Sequence, residues 1–142
     1  MACVLFSRPS HDSTINYLYY YSKELINLSE SLGHNTINKE NKEANKKVII
    51  DIIEKKKPDL IMFNGHGSPE VICGHNDEII ISSEINPEIL ANAIIYSFSC
   101  SSASILGLKA VEKGALCFIG YELDFAIGRD PDSEAVPSKD KI

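Results

Sequence analysis

Short apolar runs alternate along this chain with longer segments in which apolar residues recur every three or four positions. The periodic segments predict helices, the first from Asp12 or Ser13 to Gly33 and the others over about residues 38–56 and 102–113. The runs predict buried strands at residues 2–7, 59–64, 93–99 and 115–121. Strands that alternate with helices are typical of an α/β fold, so we expect a mainly parallel sheet covered on both faces.

Weaker patterns complete the predicted secondary structure. Residues 34–37 form a short run that fits an edge strand, and residues 70–73 and 78–81 flank a polar turn, which predicts a hairpin. Asn86-Pro87-Glu88 predicts a short helix that ends by Asn92, because proline is favoured in a first helical turn. The apolar pattern stops at Gly128, so we expect one domain over residues 1–128 and a loose polar tail over residues 129–142.

Composition narrows the classes of protein to which the chain can belong. It has 142 residues, of which 44% are hydrophobic, and a formal net charge of −6, which disfavours nucleic acid and anionic membranes as partners. No apolar stretch approaches the ~20 residues that a transmembrane helix needs, and the N-terminus lacks the pattern of a secretory signal. The four cysteines show no paired spacing. We therefore expect a cytoplasmic protein without disulfides.

Two phrases, each directly after a predicted buried strand, carry the candidate chemistry. Residues 63–68 read Phe-Asn-Gly-His-Gly-Ser, and residues 97–102 read Ser-Phe-Ser-Cys-Ser-Ser. If the two strands are parallel neighbours, His66 and Cys100 emerge side by side at the carboxyl edge of the sheet, where α/β folds hold their ligands. A thiol beside an imidazole is the minimal equipment for nucleophilic catalysis, and a helix starting near Ser102 would assist the thiol. The sequence thus predicts a cysteine peptidase core.

The glycines around the histidine extend this prediction to the backbone. Gly65 and Gly67 allow a sharp turn and leave room for a substrate chain. The amides of Gly67 and Cys100 are then the natural donors to an oxyanion. In this mechanism Cys100 attacks a carbonyl carbon, His66 protonates the leaving amine, and water later releases the acyl enzyme.

Other interpretations of these residues stay open. A histidine after a strand and a buried cysteine are each common as structural residues. A metal site is a rival, since Cys73 and His75 could join His66 and Cys100 as ligands; the Cys-x-His spacing matches no common zinc pattern, so we expect no metal. A phosphate site is disfavoured, because the chain has neither GxGxxG after its first strand nor GxxxxGKS/T. The remaining histidines are interpreted as loop residues with nothing nearby to recruit them: His11 and His34.

The two phrases, together with the closing segment of residues 114–121, resemble the caspase-like cysteine peptidases, and within them the CHAT and gingipain-like branch. The resemblance covers roughly residues 2–125 and is most specific over residues 60–121. It implies a caspase–haemoglobinase fold, a three-layer α/β/α sandwich, with a Cys-His dyad and no cofactor. Carried onto this chain, it makes His66 the base, Cys100 the nucleophile and Gly67 the oxyanion amide. It also implies a protein or peptide substrate cut after one chosen side chain, often acidic, basic or asparagine.

The chain departs from the family pattern in two respects. His66 precedes Cys100 by 34 positions, and the phrase is Phe-Ser-Cys, whereas caspases place the histidine about 50 residues before a Gln-Ala-Cys phrase. Family members also commonly continue past the last strand with elements that build the specificity pocket. Two expectations follow: either the chain is a fragment or minimal version of the family, or a partner subunit or a second copy of the chain completes that pocket.

Two acidic residues are candidate substrate contacts, and two other functional classes fit the same sequence. Glu122 and Asp124 follow the last predicted strand and could present a carboxylate to a basic substrate side chain, or form a solvated loop pair. One alternative to a peptidase is a catalytically weak or silent module that acts in protein interaction or regulation. Another is a thiol hydrolase that acts on small amides.

Overall fold

A five-stranded parallel sheet forms the centre of the fold, in a computed structural model that describes residues 1–128 and 136–139. The strands are β1 (Cys3–Arg8), β2 (Asn35–Glu40), β3 (Leu60–Asn64), β4 (Gly67–Ser68), β5 (Val71–Cys73), β6 (Ile79–Ser82), β7 (Ile94–Phe98) and β8 (Cys117–Ile119). The order in the sheet is β2-β1-β3-β7-β8, and each neighbouring pair is parallel. The inner strands are therefore β1, β3 and β7, as their apolar runs predict.

Helices cover both faces of this sheet: α1 (Ser13–Tyr21), α2 (Lys23–Ser31), α3 (Lys46–Lys56) and α4 (Leu108–Glu112). Successive strand residues point to opposite faces. In β1, Leu5 packs into the buried cluster that contains Ile53 of α3, whereas Phe6 packs with Ile26 of α2. The chain thus has an α/β fold with a helical layer on each face, an arrangement compatible with the expected three-layer sandwich.

The predicted hairpin is confirmed and belongs to a second, smaller sheet. β5 and β6 pair antiparallel around the turn His75–Asp77, and β4 adds a third strand beside β5. The amide of Cys73 donates to the carbonyl of His66 at 2.9 Å, which ties the hairpin to the segment that follows β3. Its turn therefore lies near the carboxyl edge of the main sheet.

The first predicted helix is two helices that meet at Ser22. The Ser22 hydroxyl donates to the Tyr19 carbonyl at 3.1 Å and accepts from Arg8 Nε at 2.7 Å, so the junction is held by side-chain hydrogen bonds. Beyond α2 the chain turns at Gly33, whose positive φ of 75° suits glycine and ends the helical region where the sequence predicts.

The second predicted helix, over residues 38–56, is wrong at its start. Residues 35–40 extend as the edge strand β2, and α3 begins only at Lys46. Asn45 supplies the physical reason, because its backbone is extended and its side-chain oxygen accepts from the Val48 amide at 3.0 Å, which caps the helix. At the other end, Lys57 in the left-handed region (φ 47°) closes α3 before Pro58.

Replacing Asn45 by alanine is expected to lower the free energy of unfolding by about 1 kcal/mol, because the first turn of α3 loses its capping acceptor. Urea titration monitored by circular dichroism measures this loss. Asn27→Ala is the matched control, since Asn27 is exposed within α2, where alanine is the better helix former. An Asn45→Ala protein as stable as the wild type would contradict the capping role.

The C-terminal elements are shorter than predicted. The helix expected over residues 102–113 is a π-helical turn, Ala103–Gly107, followed by α4, and the short helix expected after Asn86 is a 3-10 turn, Pro87–Leu90. The tail predicted to be loose falls mostly on residues 129–135 and 140–142, outside the described residues; the turn Pro137–Lys139 is described, and Pro137 is buried. All four cysteines are free thiols. Across the described ranges, no helix has the length and apolarity to cross a bilayer.

Candidate functional site

Three neighbouring strands, β1, β3 and β7, end at one edge of the sheet. Each is followed by a residue whose side chain can act in acid–base or nucleophilic chemistry. The predicted parallel pairing of β3 with β7 is confirmed, with Asn64 opposite Phe98, so the segments that carry His66 and Cys100 leave the sheet side by side. β1 lies on the other side of β3 and leads into the loop that contains Asp12. Ligands in α/β folds bind at this carboxyl edge.

Asp12 fixes the imidazole of His66. Its Oδ2 lies 2.6 Å from His66 Nε2, while its Oδ1 accepts from the Ile15 amide at 2.8 Å and so caps α1. Because Nε2 donates to the carboxylate, the neutral imidazole carries its proton there and Nδ1 is its basic nitrogen. The His66 side chain is 40% exposed, so the ring is accessible to a substrate.

The contacts of Asp12 also change its titration. Partial burial acts to raise the pKa of Asp12. The hydrogen bonds from the Ile15 amide and from His66, together with the positive charges of His66 and His11, outweigh burial and hold the pKa below its ordinary value. The carboxylate is therefore kept ionised beside the imidazole.

A carboxyl group whose pKa is lower in the folded state stabilises the fold above the unfolded pKa of 3.8, and this contribution is lost as the pH falls through the folded value. Asn can cap a helix as Asp does, so Asp12→Asn removes mainly the charge. We expect the difference in urea midpoint between wild type and Asp12→Asn to be largest above about pH 5 and to shrink below about pH 4. A difference that stays constant from pH 6 to pH 3 would contradict this assignment.

Gly67 brings the segment after β3 against the segment after β7. A Cβ at this position would lie 2.7 Å from Ser99 Cβ and 2.8 Å from the Cys100 carbonyl oxygen, so only glycine fits. Gly65 is confined in the same way, since its Cβ would overlap the Cys73 carbonyl oxygen. The predicted oxyanion donors, the amides of Gly67 and Cys100, thus belong to segments in direct contact, and their role toward a substrate stays a prediction.

Cys100 is partly buried, and its thiol faces the segment that follows β8. Its Sγ lies 3.9 Å from the Phe125 carbonyl oxygen, a weak S–H···O contact. The chain turns sharply at Ser101 (φ 56°), whose amide donates to the Leu123 carbonyl at 3.2 Å. Within residues 1–128 and 136–139, no hydrogen bond joins the thiol to His66. The structure brings the two residues to one edge and gives each side chain a different partner.

The segment of residues 121–125 carries the two acidic residues predicted as substrate contacts. Asp124 Oδ1 accepts from Ser101 Oγ at 2.5 Å, so this carboxylate holds the loop that follows Cys100. Glu122 is exposed. The structure therefore gives Asp124 a positioning contact, and binding of a basic side chain by either residue stays a prediction.

An apolar pocket opens beside this edge. Its volume is about 210 Å³, and most of its lining is apolar: Leu18, Tyr21, Leu25, Met62, Tyr96, Phe98 and Ile127. Asn64 and Phe98 also line it and are the last residues of β3 and β7. The pocket therefore lies directly before His66 and Cys100.

The prediction that His11 has no partner is wrong. Its side chain is 9% exposed, and its Nε2 lies 2.9 Å from Asp77 Oδ1 in the hairpin turn. Its ring packs edge-on against the rings of His66 and His75, with centroid distances of 6.0 and 5.6 Å. His34 also has a partner, because its Nδ1 accepts from a main-chain amide at 3.2 Å.

The metal ligands considered from the sequence do not assemble. Among the described residues, one group of side chains has ligand atoms close enough together for a single ion, and it includes His66 but not Cys73, His75 or Cys100. Its members are His11, Asp12, His66 and Asp77.

Comparison of the sequence with protein-family models and with curated proteins gives no significant match. The functional class therefore rests on the residues at this edge. Sequence analysis missed two of them, Asp12 as the partner of His66 and Asp77 as the partner of His11. Asp12 carries one usable signal, since it lies just after the first predicted strand, at the same edge as the two phrases.

Proposed function

We propose that this chain is the core of a caspase-like cysteine peptidase of the CHAT and gingipain-like branch, and that it hydrolyses peptide bonds. Cys100 is the nucleophile, His66 is its acid–base partner, and Asp12 is a positioning residue that acts through His66. One observation carries the proposal: two paired parallel strands lead directly to Cys100 and to a His66 that a carboxylate already holds.

The alternation of side chains along the two strands supports a meeting of thiol and imidazole. Met62 and Asn64 of β3 line the same pocket as Tyr96 and Phe98 of β7, so these alternate positions face one side of the sheet. The next alternate position beyond each strand is the histidine in one segment and the cysteine in the other. We infer that both side chains can reach the face that holds the pocket.

The present contact of the thiol is weak enough to exchange. A thiol is a poor hydrogen-bond donor, and at 3.9 Å from the Phe125 oxygen it loses little when Cys100 rotates about its Cα–Cβ bond. Catalytic hydrogen bonds are often long without substrate and tighten when it binds. We infer that the thiol exchanges between this contact and His66 in the free protein, which activates it, and that substrate binding holds the dyad closed.

The reaction follows from these roles. His66 Nδ1 takes the thiol proton while the Cys100 sulfur attacks the scissile carbonyl carbon, and the amides of Gly67 and Cys100 donate to the oxyanion. The imidazolium, held by Asp12, then gives its proton to the amine as the C–N bond breaks. A water molecule, deprotonated by His66, attacks the thioester, releases the acid and restores the thiol. This chemistry needs no cofactor.

The pocket suggests the substrate side chain. Its polar lining is limited to Ser22 and Asn64, and the rest is aliphatic or aromatic. Binding pockets lined in this way take apolar groups, because a charged side chain would be desolvated without a counter-charge. We therefore propose that the residue before the cleaved bond is large and apolar.

Incubation with a mixed peptide library, followed by mass spectrometry, tests this function. Wild type is expected to create new termini after large apolar residues, Cys100→Ala to create none, and Cys117→Ala to match wild type, since Cys117 is an exposed thiol of β8. Cleavage that persists in Cys100→Ala, or a wild type that cuts no peptide, would overturn the proposal. Hydrolysis of small amides without peptide cleavage would assign the chain to the thiol hydrolases of small amides.

A silent interaction module is the second candidate, and two observations favour it. The thiol contacts Phe125 rather than His66. In addition, the surface around β8 and α4 exposes apolar side chains of the kind found at protein interfaces: Leu108 (71%), Val111 (49%), Leu116 (67%) and Ile119 (48%). In a module of this kind, iodoacetamide would modify Cys100 at the same rate in wild type and in His66→Ala.

A further inference from the structure

Four side chains converge where the loops after β1 and β3 meet the turn of the hairpin. One ligand atom from each of His11, Asp12, His66 and Asp77 lies within 4.8 Å of the others. His66 Nε2 is 2.6 Å from Asp12 Oδ2, and His11 Nε2 is 2.9 Å from Asp77 Oδ1 and 3.8 Å from Asp12 Oδ2. We propose that this cluster binds a zinc ion and that the ion controls the imidazole of His66.

The donor set matches zinc better than the common alternatives. Zinc takes imidazole nitrogens and carboxylate oxygens in tetrahedral geometry, whereas magnesium and calcium prefer oxygen ligands alone. Ligands about 2.0–2.2 Å from one ion stand about 3.3–3.6 Å apart, so the four atoms reach this geometry through shifts of about 1 Å. The two carboxylates balance the double charge of the ion.

His11 supports a ligand role independently of the distances. Its side chain is 9% exposed, and its Nδ1 is buried without a hydrogen-bond partner in the described part of the chain. The ligand atom is the other ring nitrogen, Nε2, which already faces the carboxylates of Asp77 and Asp12 and therefore needs little rearrangement to reach an ion. Asp12 is already oriented by the Ile15 amide, the kind of outer contact that fixes metal ligands.

Zinc in this cluster changes the tautomer of His66, a consequence that rests on the proposed function. An ion at Nε2 replaces the hydrogen bond to Asp12, and the proton of the neutral ring then resides on Nδ1. Nδ1 can no longer accept the proton of the Cys100 thiol. The zinc-bound protein is therefore inactive, and removal of the ion releases the dyad.

Binding is tested in the full chain carrying Cys100→Ala, so that the result is independent of activity. Zn²⁺, with Co²⁺ as a spectroscopic probe, should bind with one ion per chain and give the visible spectrum of a tetrahedral nitrogen–oxygen site. Asp77 is 59% exposed, so Asp77→Asn should fold, and it should weaken binding by at least ~100-fold, since even outer contacts contribute 10–100-fold. Asp51→Asn removes an exposed carboxylate of α3 and should bind as its parent does.

Three results would overturn the zinc site: no binding, a thiolate-to-cobalt charge-transfer band, or equal affinity in Asp77→Asn and its parent.

Control of the dyad is tested with Cys100 restored. Zn²⁺ should slow alkylation of Cys100, and Asp77→Asn should relieve the effect. If Zn²⁺ still slows alkylation in Asp77→Asn, the ion binds the thiol directly; this result would contradict the proposed control of His66 but not the peptidase function. If the protein binds zinc but the zinc-free protein cleaves no peptide, the peptidase function is contradicted and the zinc site is retained.

Discussion

Replacing His66 by alanine is expected to lower the rate at which a peptide ester acylates Cys100 by about 10²–10⁴-fold, the usual contribution of a general acid–base residue. The physical reason is that Asp12 presents this imidazole with Nδ1 free to take the thiol proton. Without the ring, the proton must pass to solvent. Stopped-flow measurement of the first turnover separates acylation from the later hydrolysis.

His34→Ala is the matched control for this prediction. The His34 ring accepts a hydrogen bond from the Ala2 amide, at the start of β1 rather than at the carboxyl edge of the sheet. Its loss should leave acylation of Cys100 at the wild-type rate. Equal acylation rates in wild type and in a folded His66→Ala protein would show that the thiol acts alone, and the silent module would then be the better account.

Replacing Gly67 by alanine is expected to disable the site and to destabilise the fold together. The new methyl group would lie 2.7 Å from Ser99 Cβ and 2.8 Å from the Cys100 carbonyl oxygen. The segments that follow β3 and β7 would therefore have to move apart to accommodate it. Overpacking of this kind costs about 1–3 kcal/mol in stability. Because misplacement by about 1 Å can lower a rate about 10²-fold, acylation of Cys100 should fall by at least that factor.

Gly33→Ala separates the local effect from a general effect of glycine replacement. A Cβ on Gly33 meets nothing within 4 Å, but the residue has a φ of 75°, so the substitution should cost about 1–2 kcal/mol through backbone strain alone. Acylation of Cys100 should be unchanged in that variant. A Gly67→Ala protein that folds and acylates at the wild-type rate would refute the close packing between the two segments.

The parallel pairing of β3 and β7 could be predicted because both strands are inner strands. A strand buried on both faces is typically a nearly continuous apolar run, and residues 60–63 and 94–96 supply such runs. β2 gave no such signal, since its six residues, Asn-Thr-Ile-Asn-Lys-Glu, include one aliphatic side chain. The start of α3 is set by the cap that Asn45 forms. The periodicity of apolar residues alone placed the start of the helix too early, at residue 38.

The candidate site was predictable only as far as local sequence reaches. His66 and Cys100 each follow a strand directly, so the phrases locate them. Asp12 and Asp77 lie 54 and 66 positions from the histidines that they contact, and nothing in their neighbourhoods marks a distant partner. The sequence around Asp12 predicts a helix cap, which explains an aspartate at this position without any contact with His66.

Competitive alkylation of two thiols in one sample measures the activation of Cys100 most directly. Wild-type protein is treated with a limiting amount of iodoacetamide at pH 6, and mass spectrometry gives the modified fraction at Cys100 and at the exposed Cys117. A thiol paired with an imidazole should react at least about tenfold faster than an ordinary thiol at this pH, even though Cys100 is the less exposed of the two. Equal reaction, or faster reaction at Cys117, would contradict an activated cysteine at this edge of the sheet.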